Sequence, residues 1–150
     1  TRAALWRERS ISAVREAGRN ADLAIFGVGA FSAPLASHVY ASGYLGNEDV
    51  MRLRREGVVG DVCTVLVRSD GSYSDIEINS RASGPTPEEL QKIPRRLCVV
   101  AGPAKATALI GVLRSGAVTD LVVDDECAQR VLEESERPWR GRPSGAGISQ

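Results

Sequence analysis

Leu97-Cys98-Val99-Val100-Ala101-Gly102-Pro103-Ala104-Lys105 is an apolar, β-branched run that stops at a small-residue turn and opens into helix formers. The pattern reads as strand, turn and helix, with Lys105 in the first helical turn. Backbone N–H groups at a helix start are unpaired, and the helix dipole adds partial positive charge there. A lysine beside them adds a full charge, so the turn favours an anion. The surface reading of Lys105 stays open beside this one. Of the 19 basic residues only Lys92 and Lys105 are lysines, and the rest are arginines.

Upstream, Arg2 to Ala17 reads as a helix closed by Gly18. Asp22 to Phe26 is a short continuous apolar run, the mark of a strand buried on both faces. Asn47 is placed to cap a helix from Glu48 to Glu56. Asp61 to Arg68 reads as one strand, Ser69-Asp70-Gly71-Ser72 as a hairpin turn, and Tyr73 to Ile78 as the return strand. Thr86-Pro87-Glu88-Glu89 is a capping box that starts a short helix ended by Pro94. Downstream, Pro103 to Arg114 reads as a helix, Leu121 to Val123 as a strand and Asp125 to Glu134 as a closing helix. Strand–helix alternation of this kind predicts an α/β fold around a parallel sheet, with a β-hairpin insertion near Asp70-Gly71. The expected domain covers 1–135, followed by a disordered tail over 136–150, where Arg, Pro, Gly and Ser replace the apolar pattern.

Composition narrows the function classes. The 150 residues carry 19 acidic and 19 basic side chains, so no whole-molecule field attracts nucleic acid or anionic lipid. Arg52, Arg54 and Arg55 read as a solvated helix face. Arg137, Arg140 and Arg142 fall in the tail, and neither group is interleaved with aromatics as in a single-strand binder. No apolar run approaches the roughly 20 residues that span a bilayer. Cys63, Cys98 and Cys127 are widely separated and read as small buried hydrophobes in a reducing, cytoplasmic setting. His38 stands alone, which argues against a zinc site; no metal and no cofactor is expected. Thr1 opens the chain and Met51 is its one methionine, so the expectation is a fragment of a longer protein.

Ligands of open α/β sheets bind beyond the C-terminal strand ends. Three turns fall there: Gly27-Val28-Gly29 after Phe26, Gly102 to Lys105 after Val100, and Asp124 after Val123. The first is not a dinucleotide fingerprint, because Ser32 takes the third glycine position and no acidic strand end follows about 20 residues on. It is either a tight turn or a place where a ligand meets backbone. Asp61, after Gly57-Val58-Val59-Gly60, is either a turn cap or an acceptor for sugar hydroxyls.

Gly27-Val28-Gly29-Ala30, Ser42-Gly43-Tyr44-Leu45, Gly57-Val58-Val59-Gly60-Asp61, Asp70-Gly71, Gly102-Pro103-Ala104-Lys105-Ala106 and Leu121-Val122-Val123-Asp124 occur in that order over roughly 20–132. The set resembles the effector-binding domain of SorC-family bacterial transcriptional regulators. The resemblance implies a parallel-sheet three-layer sandwich, similar to the glucosamine-6-phosphate deaminase, ribose-5-phosphate isomerase and CoA-transferase fold. It implies a sensor that binds a phosphorylated sugar and thereby modulates DNA binding, as a homo-oligomer (dimer or tetramer) without enzymatic or membrane function. Lys105 would then contact phosphate or sugar oxygens, Asp61 would contact hydroxyls, and Gly27, Val28, Gly29, Gly102 and Asp124 would line the site. Operator DNA would be read only through a helix-turn-helix domain absent from this chain. A phosphosugar isomerase- or deaminase-like enzyme and a ligand-free oligomerisation module are the competing readings. Ala101 stands where the family carries glycine, and Val123 where it often carries Thr or Ser. The family's first strand and its Gly/Thr-rich phosphate loop have no counterpart here.

Overall fold

The computed structural model describes residues 2–31, 39, 43 and 45–136. His38, Ser42, Tyr44 and the tail over 137–150 lie outside the described residues.

The chain runs α1 (Arg2–Leu5), α2 (Arg9–Arg19), β1 (Leu23–Phe26), β2 (Gly29–Ala30), α3 (Asn47–Arg55), β3 (Val58–Val62), β4 (Val65–Arg68), α4 (Pro87–Gln91), β5 (Arg95–Val100), α5 (Ala106–Arg114), β6 (Asp120–Val123) and α6 (Asp125–Ser135). Short 3-10 turns cover Glu77–Arg81 and Pro103–Lys105. Two sheets form. One is parallel in the order β1-β5-β6, and the other is antiparallel in the order β2-β3-β4. The α/β architecture with a parallel sheet is the one expected, and a hairpin sheet stands beside it.

The hairpin sits elsewhere in the sequence than Asp70-Gly71. Asp61 to Arg68 is two strands, β3 and β4, reversed at Cys63 and Thr64, whose φ values are 49° and 70°. Thr64 is β-branched, and such residues rarely enter the left-handed region. The turn is held from outside, with Gly84 N–H donating to Thr64 Oγ1 at 3.4 Å. A Cβ on Gly84 would lie 1.7 Å from the Cys63 carbonyl oxygen, so only glycine fits there. Asp70-Gly71 is a turn, with Ser72 N–H donating to Asp70 Oδ1 at 2.9 Å and Gly71 at φ +86°. It docks on the end of α5, where a Cβ at Gly71 would lie 2.5 Å from Arg114 carbonyl carbon. The expected return strand is therefore absent, and the chain passes into the 3-10 turn at Glu77–Arg81.

Three boundaries also shift. The first helix breaks into α1 and α2, and α2 runs through Gly18 to end at Asn20, whose N–H donates to Glu16 O. Asn47 lies inside α3, which Gly46 precedes as the cap. The Thr86 box closes as expected: Glu89 N–H donates to Thr86 Oγ1 at 3.1 Å, and Thr86 N–H to Glu89 Oε2 at 3.0 Å.

The main core gathers Cys98 and Val100 of β5, Ala106, Ala108, Leu109 and Val112 of α5, Val62 and Val67 of the hairpin, and Cys127 of α6. A second cluster packs α3 on the far side of the hairpin sheet through Leu45, Leu53, Val58, Leu66 and Ile76. All four residues of β4 are thus buried. The parallel strands alternate instead: Ala24 and Phe26 meet the core, while Leu23 and Ile25 face outward. Among the described residues the antiparallel sheet is the one buried on both faces, the reverse of what the apolar runs predict.

α5 reaches the hairpin sheet across a seam of small residues. A Cβ at Gly60 would meet Gly29 O at 2.1 Å and Ala108 Cβ at 2.6 Å, and one at Gly111 would meet Arg68 O at 2.6 Å. Arg68 itself is 6% exposed. It donates to Glu56 O at 2.9 Å, Ser72 Oγ at 3.3 Å and Asp75 Oδ1 at 2.6 Å.

Candidate functional site

β5 ends at Val100, and the small residues that follow let the chain turn sharply. Gly102 adopts φ +94° with open space where a Cβ would stand, so its requirement is conformational. Ala101 needs no such freedom, because its φ is not positive. Lys105 closes the turn, its N–H donating to Gly102 O at 3.1 Å. α5 then begins at Ala106.

Asp124 follows β6 and clamps this turn. Its Oδ2 accepts the Gly102 N–H at 2.9 Å, and its Oδ1 accepts the Cys127 N–H at 3.0 Å as the N-cap of α6. One carboxylate therefore joins the turn after β5 to the helix after β6. It also occupies a backbone donor that an anion at the turn would use.

Gly27, Val28 and Gly29 carry the chain from β1 in the parallel sheet to β2 in the hairpin sheet. Val28 is 4% exposed and belongs to the main core, so its side chain packs inward and does not line an open site. A Cβ at Gly27 would make ordinary contact with Val99 O at 3.4 Å. Gly29 pairs in register with Asp61. Asp61 lies in the interior of β3, not at a strand opening, and is 5% exposed. The turn at Pro103–Lys105 packs against β2. The candidate positions thus gather into two linked pairs, Gly29 with Asp61 and Gly102 with Asp124, beyond the C-terminal ends of β1, β5 and β6.

Three thiols stand behind the turns. Burial, and then the Asp61 charge, push Cys63 up to about 11. Burial pushes Cys98 up to about 11 as well, opposed by Lys105. Cys127 is raised by burial and by Asp124, again against Lys105. All three are neutral at physiological pH and poor nucleophiles. No group of three His, Cys, Asp or Glu among the described residues could hold a metal ion. Among those residues no helix is long and apolar enough to cross a membrane.

Two hollows flank this region. One of about 400 Å³ lies between α2, β1 and α4, lined by Val14, Arg15, Phe26, Cys63, Leu90 and Ile93, and contains none of the candidate residues. Its wall α2 buries none of its own residues, and is tied down by Arg15 and Arg19, each 3.6 Å from Glu89 Oε1. The other, about 360 Å³, runs from Pro103 along α6 past Asp125, Glu126 and Glu133. Its carboxylates disfavour an anion on that side of the turn. The convergence of polar groups, not cavity size, marks the candidate site.

Sequence reading missed the part played by Gly60, whose bare Cα lets Gly29 and α5 close on β3. The signal was present as the glycine directly before Asp61. Arg68 was missed because a basic residue at the end of an apolar run reads as a strand terminus.

Comparison with known proteins bears on this arrangement. Residues 1–133 match the family model described as "Putative sugar-binding domain". Over 129 residues the chain is 30% identical to the transcriptional regulator LsrR of Enterobacter sp. (strain 638), covering 85% of this chain and 40% of that protein. A domain of a "possible sugar-binding transcriptional regulator" from Arthrobacter aurescens TC1 superposes with a TM-score of 0.76 at 43% identity, over 87% of this chain and 49% of that one. The full-length sorbitol operon regulator SorC from Klebsiella pneumoniae shares the fold, with a TM-score of 0.77 at 20% identity, over 87% of this chain and 42% of its own. The chain therefore spans less than half the length of these relatives.

Proposed function

Because the chain belongs to the sugar-binding-domain family of SorC-type transcriptional regulators, we propose that it forms one side of an effector pocket whose ligand is a phosphorylated sugar. The observation that carries this reading is the clamped turn from Ala101 to Lys105, packed against the strand that bears Gly29 and opposes Asp61. Lys105 supplies a cation at the turn. Asp61, through its carboxyl oxygens, takes sugar hydroxyls at the other end. Gly29 and Gly102 let backbone approach the ligand, and Asp124 holds the turn in place.

Regulation follows from the clamp. A ligand oxygen that draws on the Gly102 N–H competes with Asp124, and Asp124 also caps α6. Binding at the turn therefore changes how the start of α6 is held. Such a ligand shifts the balance between two arrangements by its differential affinity for them. The arrangement would be read by a DNA-binding domain outside these residues, in a homo-oligomer. The role is sensing without turnover.

Calorimetric titration of the chain with a panel of hexose and pentose phosphates, each beside its unphosphorylated sugar, tests the reading. One phosphorylated member should bind, and its parent sugar should bind more weakly. Lys105→Ala removes a charge-assisted contact of about 1.5–3 kcal/mol, so affinity should fall roughly 10- to 150-fold. Affinity within twofold of the parent chain would remove Lys105 from the site.

A further inference from the structure

α6 is fastened to the effector turn at both of its ends. Ahead of its first residue, Asp124 Oδ2 holds the Gly102 N–H at 2.9 Å. In its last turn, Glu134 Oε2 accepts the Thr107 hydroxyl at 2.7 Å. An α-helix rises about 1.5 Å per residue, so the two carboxylates stand about 15 Å apart on one rod. Gly102 to Thr107 comprises the turn and the start of α5, and Lys105 lies between the two fastened ends. α6 packs along this stretch, against both the Pro103–Lys105 turn and α5.

The rod is itself anchored. Cys127 is fully buried in the main core, and Val131 packs against that core. Glu134 is not a loose surface carboxylate. Its side chain is 19% exposed, and its other oxygen, Oε1, accepts Arg130 Nε at 2.8 Å from one helical turn back. Helix stability does not call for a carboxylate there. The C-terminal end of a helix dipole disfavours negative charge, and a base preceding an acid by four residues is the weaker orientation of that pair.

The turn, by contrast, has little to hold itself. It is a single 3-10 turn, closed by one bond from Lys105 N–H to Gly102 O at 3.1 Å. Such turns have poorer hydrogen-bond geometry than α-helix, so their order comes from outside.

We infer that Glu134 is a positioning residue for Lys105: through Thr107 it holds the far end of the turn that Asp124 holds at the near end. The inference rests on the reading of this turn as the anion end of the effector site, and adds to it a residue that meets no ligand. A framed turn presents Lys105 in one arrangement, and binding then loses less conformational freedom.

The test substitutes Thr107, which is exposed, so the core is left intact. Thr107→Val keeps the shape and removes the hydroxyl, and Thr107→Ser returns it. Hydrogen exchange followed by NMR on the 150-residue chain should quicken at the Lys105 amide by about fivefold or more in Thr107→Val, and return to within about twofold of the parent in Thr107→Ser. Glu134→Ala should match Thr107→Val, and the two together should be no worse than either alone. In titrations with inorganic phosphate, read at the same amide, affinity should fall about three- to tenfold in Thr107→Val and recover in Thr107→Ser. Unchanged exchange in Thr107→Val overturns the inference, as does a serine variant that restores nothing. Equal quickening at Lys105 and at buried Leu109 marks a general loss of stability and also overturns it. If phosphate does not shift the parent's Lys105 amide, the anion reading of the turn fails and the inference falls with it. If phosphate binds parent and Thr107→Val equally, the positioning role alone fails.

Discussion

Gly60→Ala tests whether the hairpin sheet and α5 meet as closely as the structure shows. The added methyl would lie 2.1 Å from Gly29 O and 2.6 Å from Ala108 Cβ. Relaxed contact between such atoms begins near about 3.5 Å, so the seam must open by roughly 1 Å. Neither side can yield cheaply. Gly29 O is backbone in a paired strand, and Ala108 sits beside Leu109, which is fully buried in the main core. Overpacking of this kind costs about 1–3 kcal/mol, and two rigid obstacles place the value at the upper end. For a chain near this length that corresponds to a fall of roughly 6–12 °C in melting temperature. Urea unfolding followed by far-UV circular dichroism gives the free energy. Ala108→Gly in the same chain removes the 2.6 Å contact and leaves the other, so the double-mutant cycle should show coupling above about 0.5 kcal/mol. A Gly60→Ala chain within about 0.5 kcal/mol of the parent would refute the close approach, and with it the geometry that sets Gly29 against Asp61.

Two further outcomes are expected. Arg68→Met leaves the Glu56 carbonyl and Asp75 without their buried donor and should destabilise by about 1–3 kcal/mol in urea; no measurable change would show the network to be idle. The raised thiols make stability fall at high pH. The folded chain holds its thiol protons longer than the unfolded chain, so the contribution is complete below about 9 and is lost as pH rises through about 11. Cys98→Ala should flatten that alkaline decline, and an unchanged urea midpoint between pH 8 and 10.5 in the parent chain would contradict the shifts.

Much of this fold is legible where local chemistry and tertiary structure agree. The run from Leu97 to Lys105 forms strand, turn and helix because its residues prefer those states and the core rewards them. Thr86 and Glu89 satisfy each other's N–H groups wherever the helix packs. Legibility fails where a distant residue decides. Val62-Cys63-Thr64-Val65 contains no turn former, so the reversal cannot be read from it. Asp70-Gly71 has turn chemistry, yet docking against Arg114 and Ser115 turns the chain away from a return strand. Apolar runs show that residues avoid water but not whether this stretch of chain supplies the cover. So β4 and β1 read alike, though one is buried throughout and the other is open on one face. At the site, the turns and Lys105 follow from spacing. The clamp by Asp124 does not, because it joins strand ends 22 residues apart.

The hairpin turn divides the information for one bend between two places in the chain. Cys63 and Thr64 adopt left-handed backbone that neither favours, and Gly84 is the neighbour whose bare Cα makes room for it. Drift in sequence should then run unevenly. Positions 63 and 64 can accept asparagine or glycine and gain conformational ease, whereas any side chain at 84 strikes a carbonyl. The residue that looks like loop filler is the one that cannot vary, and the two that form the bend are the ones that can.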